Sequence, residues 1–289
     1  MKSLFRDIFH DDNYRRFFVI ATLLVLLVSC AKKEPHDNNT TPGGNPGKPT
    51  ALSAGLRFEP LIIRKEYGSS ERESGHYALV DITYPVASGG VSTVSDSLNT
   101  FIRDFVAVDL AGCIRKASAN ISIERLANMF IDSYTDFVTR FPTSVQRWTY
   151  SINCDVIYHS DTVITLKFRT DVYTGGAHPN SEVAYAVFSA DTGDRITLAD
   201  IITDETKLLG IAEDRFRHSK DLGHDDDLEQ AGYWFTEGKF ELTENWGITA
   251  DGLVFFYNNY EIAAYAMGPT ELKITNFDIK DIIKLKVQE

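Results

Sequence analysis

The chain has 289 residues, 43% hydrophobic and 24% charged, the composition of a globular protein able to bury a sizeable core. Its 41 acidic and 29 basic side chains leave a net charge of −12, which argues against nucleic acid as a partner and against electrostatic docking on anionic lipid. No P-loop, Rossmann glycine pattern, Gly-x-Ser-x-Gly elbow or His/Cys metal motif appears, so the residues imply no cofactor, no metal and no catalytic constellation.

The chain opens with Lys2, Arg6, Arg15 and Arg16 ahead of an apolar run over 17–28, with Asp11 and Asp12 inside the basic stretch. A bilayer-spanning helix needs about 20 apolar residues, so this run suits the core of a signal peptide. It ends in Leu27-Val28-Ser29-Cys30, which resembles the lipobox of bacterial lipoproteins. The resemblance implies a signal peptide over 1–29 and an acyl (palmitate-type) anchor on Cys30. It also implies a membrane-tethered, cell-envelope protein facing the periplasm or the exterior. Ala31 is compatible with outer-membrane sorting. The other reading is a plain N-terminal anchor with an incidental cysteine. Residues 31–50 are rich in Pro, Gly, Asn and Thr and carry no large apolar side chain, so 30–54 reads as a flexible tether. That leaves Cys113 and Cys154 either as a disulfide pair in an oxidising compartment or as two buried thiols. A bridge between them closes a loop of about 40 residues, worth roughly 3–4 kcal/mol in the chain-entropy view.

Segments 56–67 and 77–87 are rich in β-branched and aromatic residues and read as strands. Val94, Leu98, Ile102 and Phe105 recur at helical spacing, as do Leu126, Phe130, Tyr134, Phe137 and Phe141, with Ser122 as N-cap and Pro142 past the end. A hairpin follows, with Trp148, Tyr150, Ile152, Cys154, Val156 and Tyr158 on one face. His159-Ser160-Asp161 forms its turn, and Ile164, Leu166 and Phe168 lie on the returning strand. Segments 183–190 and 195–202 read as a second hairpin around Asp191–Asp194. A helix over about 204–219 then buries Leu208, Ala212 and Phe216. Two short strands meet at an Asp251-Gly252 turn, and a last strand runs into a short helix capped by Asn276. The fold class expected is α+β, in two cooperating halves (55–172 and 173–289), each with helices on a mainly antiparallel sheet.

Three segments together carry a family resemblance: YTGGAHPN at 173–180, the intervening hairpin over 186–202, and TADGLVFFYNNYEIAAYAMGPTELKI at 249–274 with its Asp251-Gly252 turn before an aromatic strand. Residues 173–286 resemble the C-terminal ectodomain of the lysozyme-sensing anti-sigma-V factor, a domain also present in many bacterial lipoproteins. Residues 57–172 are similar to the module that precedes it, also the accessory module of some peptidoglycan deacetylases. The resemblance implies a cell-envelope location and, in one branch, binding of lysozyme, a basic wall hydrolase. Sigma-factor signalling is not expected to carry over, because no cytoplasmic sigma-binding segment is visible. Deacetylase chemistry is not expected either, because no length remains for a catalytic domain.

Two groups of residues are candidates for binding a ligand or partner. Tyr173, Gly175, Gly176 and His178 lie in a stretch whose glycines permit positive φ, while Pro179 pushes His178 toward extended backbone. His178 either hydrogen-bonds a ligand or closes a tight connection; it lacks the nucleophile and orienting group of a triad. Tyr257, Tyr260, Glu261 and Tyr265 combine rings with a carboxylate. They either hold a sugar or a protein partner or pack as a loop over the sheet. The acidic run from Asp221 to Glu229 departs from calcium-loop spacing and reads as a solvated loop. The function expected is a non-catalytic envelope lipoprotein that binds a protein or glycan, with a lysozyme-like hydrolase or peptidoglycan fragment as ligand. The alternatives are a carbohydrate- or wall-modifying enzyme using His178, carboxylates or both in a cleft, and a structural subunit of a larger envelope assembly.

Overall fold

Alternating apolar residues open the ordered region as two long strands, β1 (Arg57–Gly68) and β2 (Tyr77–Ser88), paired antiparallel along their whole length. The computed structural model describes residues 55–69, 75–115 and 117–284. The expected signal peptide, Cys30 and the tether to 54 lie outside the described residues. Pro60 faces Pro85 in the β1–β2 register, and neither can donate to a ladder. The pair is tolerated because β1 is an edge strand and Pro85 lies beyond Thr83, where β2 stops pairing with its other neighbour.

Two helices then cross the sheet. In α1 (Ser92–Gly112) the buried residues Val94, Leu98, Ile102, Val106 and Leu110 follow at four-residue intervals and face the strands. In α2 (Ile123–Arg140) the Ser122 hydroxyl accepts from Arg125 N at 3.3 Å, as its sequence position predicts. Leu126, Phe130 and Tyr134 are buried as expected, but Phe141 is 55% exposed. It is the C-cap residue, and its non-helical backbone turns it off the apolar stripe.

The crossover makes β3 (Trp148–His159) parallel to β2, while β4 (Val163–Tyr173) and β5 (Asn180–Ser189) continue antiparallel in the order β1-β2-β3-β4-β5. The inner face (Val80, Ile82, Tyr150, Ile152, Leu166, Phe168 and Phe188 among others) forms the first core against α1 and α2. Burying each such side chain contributes about 1.5–3 kcal/mol. Cys113 and Cys154 are free thiols here, so the bridge left open by the sequence is not made. Cys113 ends α1 with its Sγ directed at Asp109 O (3.7 Å), and Cys154 packs inside the sheet core. Burial pushes both thiols well above their ordinary pKa.

The expected hairpin over 183–202 forms only on one side. Residues 183–189 belong to β5, paired with β4, whereas Arg195 meets Phe188 in a single bridge. The reason lies in Thr197 and Asp200, whose reciprocal capping box starts a short helix α3 (Leu198–Ile201) where the return strand was expected. Helix α4 (Glu205–Ser219) follows, with the Asp204 side chain accepting from Lys207 N and Leu208, Ala212 and Phe216 buried. It packs on a three-stranded antiparallel sheet of β6 (Trp246–Thr249), β7 (Gly252–Tyr257) and β8 (Thr270–Thr275), around Phe255, Leu272 and Ile274. The final helix α5 (Asn276–Ile279) is capped by Thr275 rather than Asn276, because Thr275 and Asp278 complete a second capping box. The class is α+β, as expected, with one mixed and one antiparallel sheet.

The two sheets touch through β6. A Cβ on Gly247 would lie 2.8 Å from the Tyr185 ring and 3.0 Å from Thr165 Cγ2, so only glycine lets β6 cross the outer face of β4 and β5 this closely. The acidic loop after α4 is tied down by Arg217, whose Nη1 donates to Gly223 O (3.1 Å) and Asp226 O (2.9 Å). Among the described residues no group of His, Cys, Asp or Glu is placed to hold a metal, and no helix is long and apolar enough to cross a membrane.

Candidate functional site

The loop joining β4 to β5 carries the Gly-Gly-Ala-His stretch. Gly175 and Gly176 have φ of +103° and +118°, and a Cβ on Gly175 would meet the Gln146 side chain at 2.8 Å. Tyr173 Oη donates to Gly176 O at 3.1 Å and closes the loop on itself. His178 then stands on the surface with its Nδ1 2.9 Å from Pro179 O.

A second loop, between β7 and β8, comes to the same place. Glu261 N donates to Asn258 O (3.1 Å), and Glu261 Oε2 accepts from Asn258 N (2.8 Å), which makes a tight turn. Its tip, Tyr260, is held at φ +66°, a left-handed conformation that costs a non-glycine residue about 1–2 kcal/mol. Tyr260 is 54% exposed at this tip.

Three of the rings expected to bind a partner meet there. His178 stacks on Tyr265 with ring centres 3.7 Å apart and planes inclined by 19°. Tyr260 flanks both, 5.5 Å from Tyr265 and 6.5 Å from His178, with its hydroxyl 3.4 Å from His178 Nε2. Tyr265 Oη donates to Pro179 O at 3.2 Å, fixing the stack. The loops converge because Asn258 side-chain atoms bond the backbone of Val183 (2.8 and 3.0 Å), five residues after His178 and two before Tyr260.

The other candidates play different parts. Tyr257 is buried, its hydroxyl donating to Glu241 O at 2.7 Å within the second core, so it supports the loop from below. Glu261 is half-buried, with Oε1 accepting from Thr243 Oγ1 (2.7 Å). Burial raises its pKa, and the bonds from Thr243 and Asn258 act in the opposite direction. Both of its oxygens are thus committed to holding the turn.

Sequence reasoning did not single out Trp234. Its Nε1 donates to Glu261 O (3.2 Å) and its backbone N to Ile262 O (3.0 Å), and the indole remains 51% exposed beside the tyrosine turn. A tryptophan a few residues after an acidic run was the available signal. Met267 is also exposed and approaches Gly232 on the Trp234 segment. The surface is therefore a shallow aromatic patch. A cleft of about 710 Å³ lies elsewhere, between Lys167 and Tyr185 of the first sheet and Val254 and Lys273 of the second.

Residues 71–181 match the family described as deacetylase PdaC, and residues 199–276 match protein of unknown function DUF3298. The chain thus carries a PdaC-like segment followed by a DUF3298 segment. It is similar to the peptidoglycan-N-acetylmuramic acid deacetylase PdaC of Bacillus subtilis strain 168, with 24% identity over 147 residues. That alignment covers 49% of this chain and 30% of the enzyme, so the chain spans less than a third of that relative. Two solved structures share the fold. A DUF3298 family member from Bacteroides fragilis superposes with a TM-score of 0.60 at 20% identity, covering 80% of this chain and 95% of that one. A DUF3298 family protein from Pseudomonas aeruginosa PAO1 superposes with a TM-score of 0.55 at 15% identity, covering 80% and 96%.

Proposed function

We propose that this chain is a lipid-anchored, extracytoplasmic protein of the cell envelope that binds a peptidoglycan fragment or a wall-hydrolase protein through its aromatic patch, without catalysing a reaction itself. The observation that carries the reading is the stack of His178 on Tyr265 beside the exposed ring of Tyr260, whose backbone is held in the left-handed region. Rings left open to solvent on rigid loops present area for a sugar face or a protein hot spot at little entropic cost. The similarity to a peptidoglycan deacetylase supports an envelope setting, as does the resemblance of Leu27-Val28-Ser29-Cys30 to a lipobox. Acidic residues from Asp221 to Glu229, near Trp234 in the chain, favour a basic protein such as lysozyme where the partner is a protein.

Binding is favoured over catalysis by the commitments of the polar groups. His178 faces Tyr260 and Pro179 O, and Glu261 has both oxygens engaged in its own turn. The reading is tested by capture of the full chain on peptidoglycan fragments and on lysozyme, with wild type against Tyr260→Ala. Retention by at least one, lost in the variant, is expected. Failure to bind either across a concentration series overturns the reading.

A further inference from the structure

The outer face of the five-stranded sheet, turned away from α1 and α2, carries an ordered row of polar side chains. The pairing register places Arg64 opposite Asp81, Asp81 opposite Ser151, Ser151 opposite Asp171 and Asp171 opposite Ser181. Each of the five strands thus contributes one hydrogen-bonding group to a single line running across the sheet. The charged members keep much of their surface open: 51% for Arg64, 35% for Asp81 and 38% for Asp171.

From this row we infer that the part of the outer sheet face not crossed by β6 is the seat of an extended glycan chain, with the aromatic patch at one end. Strands lie about 4.8 Å apart, so the row offers a group at each such interval. An extended β-linked pyranose chain repeats at nearly the same spacing, so one sugar sits over each strand. The chemistry fits hydroxyl groups, which both donate and accept. Carboxylates accept, the guanidinium donates, and the serines do either.

Charge separates this ligand from the alternatives. Arg64 pairs with Asp81 at 2.6 Å and with Glu66 at 3.5 Å, and Arg169 on the adjoining row pairs with Asp171 at 3.1 Å, so the charges on this face are largely compensated within an acidic chain. A surface whose charges are largely compensated steers neither a strongly basic protein nor an anionic one. At the β5 end Ser181 donates to Asp171, three residues after His178 in the chain. Tyr173, next on the outer face of β4 after Asp171, holds the loop that presents His178. A sugar on the His178–Tyr265–Tyr260 rings therefore continues naturally onto the row.

The inference rests on the aromatic patch being a binding surface, and the experiment separates the two. Binding of β-1,4-linked N-acetylglucosamine oligomers, dimer to hexamer, is measured calorimetrically on the full chain. Affinity is expected to rise at least tenfold from dimer to pentamer and then to level off. Ser151→Leu, which blocks the middle of the row, removes most of that gain and leaves dimer binding unchanged. Asp81→Asn, which keeps the shape, removes part of it. Tyr260→Ala weakens every length. Equal affinity for all lengths, with Tyr260-dependent dimer binding retained, overturns the row and leaves the patch standing. Binding of lysozyme but of no oligomer also overturns the row. Binding of neither overturns both.

Discussion

The side-chain amide of Asn258 closes both main-chain hydrogen bonds of Val183: its Oδ1 accepts from Val183 N at 2.8 Å and its Nδ2 donates to Val183 O at 3.0 Å. Asn245 repeats the device one pleat along, accepting from Tyr185 N (2.9 Å) and donating to Val183 O (2.7 Å). The free edge of β5 is thus closed by side chains, and the same contact fastens the tyrosine turn to the first sheet. Asn258→Ala leaves a buried N–H without its acceptor and should cost about 2–3 kcal/mol. Asn258→Asp should cost at least as much at neutral pH, since the carboxylate cannot donate and faces a carbonyl oxygen. Urea unfolding midpoints check this, and a wild-type midpoint for the alanine variant would refute the role given to the amide.

Tyr260 offers a separation of stability from binding. At φ +66° an alanine keeps the backbone strain while a glycine removes it. Tyr260→Gly should therefore be about 1 kcal/mol more stable than Tyr260→Ala. Both should bind the partner equally poorly, because both lack the ring. Paired unfolding curves and binding isotherms decide it. A glycine variant less stable than the alanine variant would place the turn's rigidity elsewhere.

Much of this architecture was legible in the residues because local physics and tertiary packing agree there. The four-residue spacing from Val94 to Leu110, the Ser122 cap and the alternation in β3 and β4 each specify one outcome. The misreadings fall where a cap competes with a strand or a neighbouring residue. Thr197 with Asp200 diverts the expected return strand into a helix, and Thr275 rather than Asn276 starts α5. Of the site, His178, Tyr260 and Tyr265 were visible as residues, but their meeting depends on Asn258 reaching Val183 across 75 positions of sequence. Nothing in a linear pattern distinguishes that asparagine from the Asn259 beside it. The outer row on the sheet was hidden for the same reason, since register across five strands is a property of pairing and not of any one strand.

Gly247 tests how the two sheets are joined. A methyl group there meets the Tyr185 ring at 2.8 Å and Thr165 Cγ2 at 3.0 Å, and Tyr185 is itself buried under β6. Gly247→Ala should destabilise by about 1–3 kcal/mol through overpacking, and Gly247→Val by more. Because the strain centres on Tyr185, pairing Gly247→Ala with Tyr185→Leu should recover part of the loss. Additive costs in that double variant, measured by denaturant unfolding, would show that the two positions do not press on each other.

Asp109 makes stability depend on pH in a direction opposite to that of most carboxylates. Its side chain accepts from Tyr150 Oη (2.9 Å) and Thr170 Oγ1 (3.1 Å). Burial pushes its pKa from 3.8 up to about 6, against the lowering effect of those bonds and with some help from Glu182. The folded chain thus keeps the proton to about pH 6, whereas the unfolded chain releases it near 3.8. Between those values the folded state binds more protons, so this group's contribution falls as pH rises through the window and is lowest above it. Asp109→Asn removes the ionisation while keeping an acceptor for Tyr150 and a donor for the Thr170 oxygen. The variant should be more stable than wild type by about 1–3 kcal/mol at pH 7.5 and nearly equal to it at pH 4. Urea unfolding of both proteins at the two pH values measures the difference directly, with the other carboxylates cancelling between them. An equal gain at both pH values would trace it to packing, and a loss at pH 7.5 would mean that the charged carboxylate is the form the core is built around.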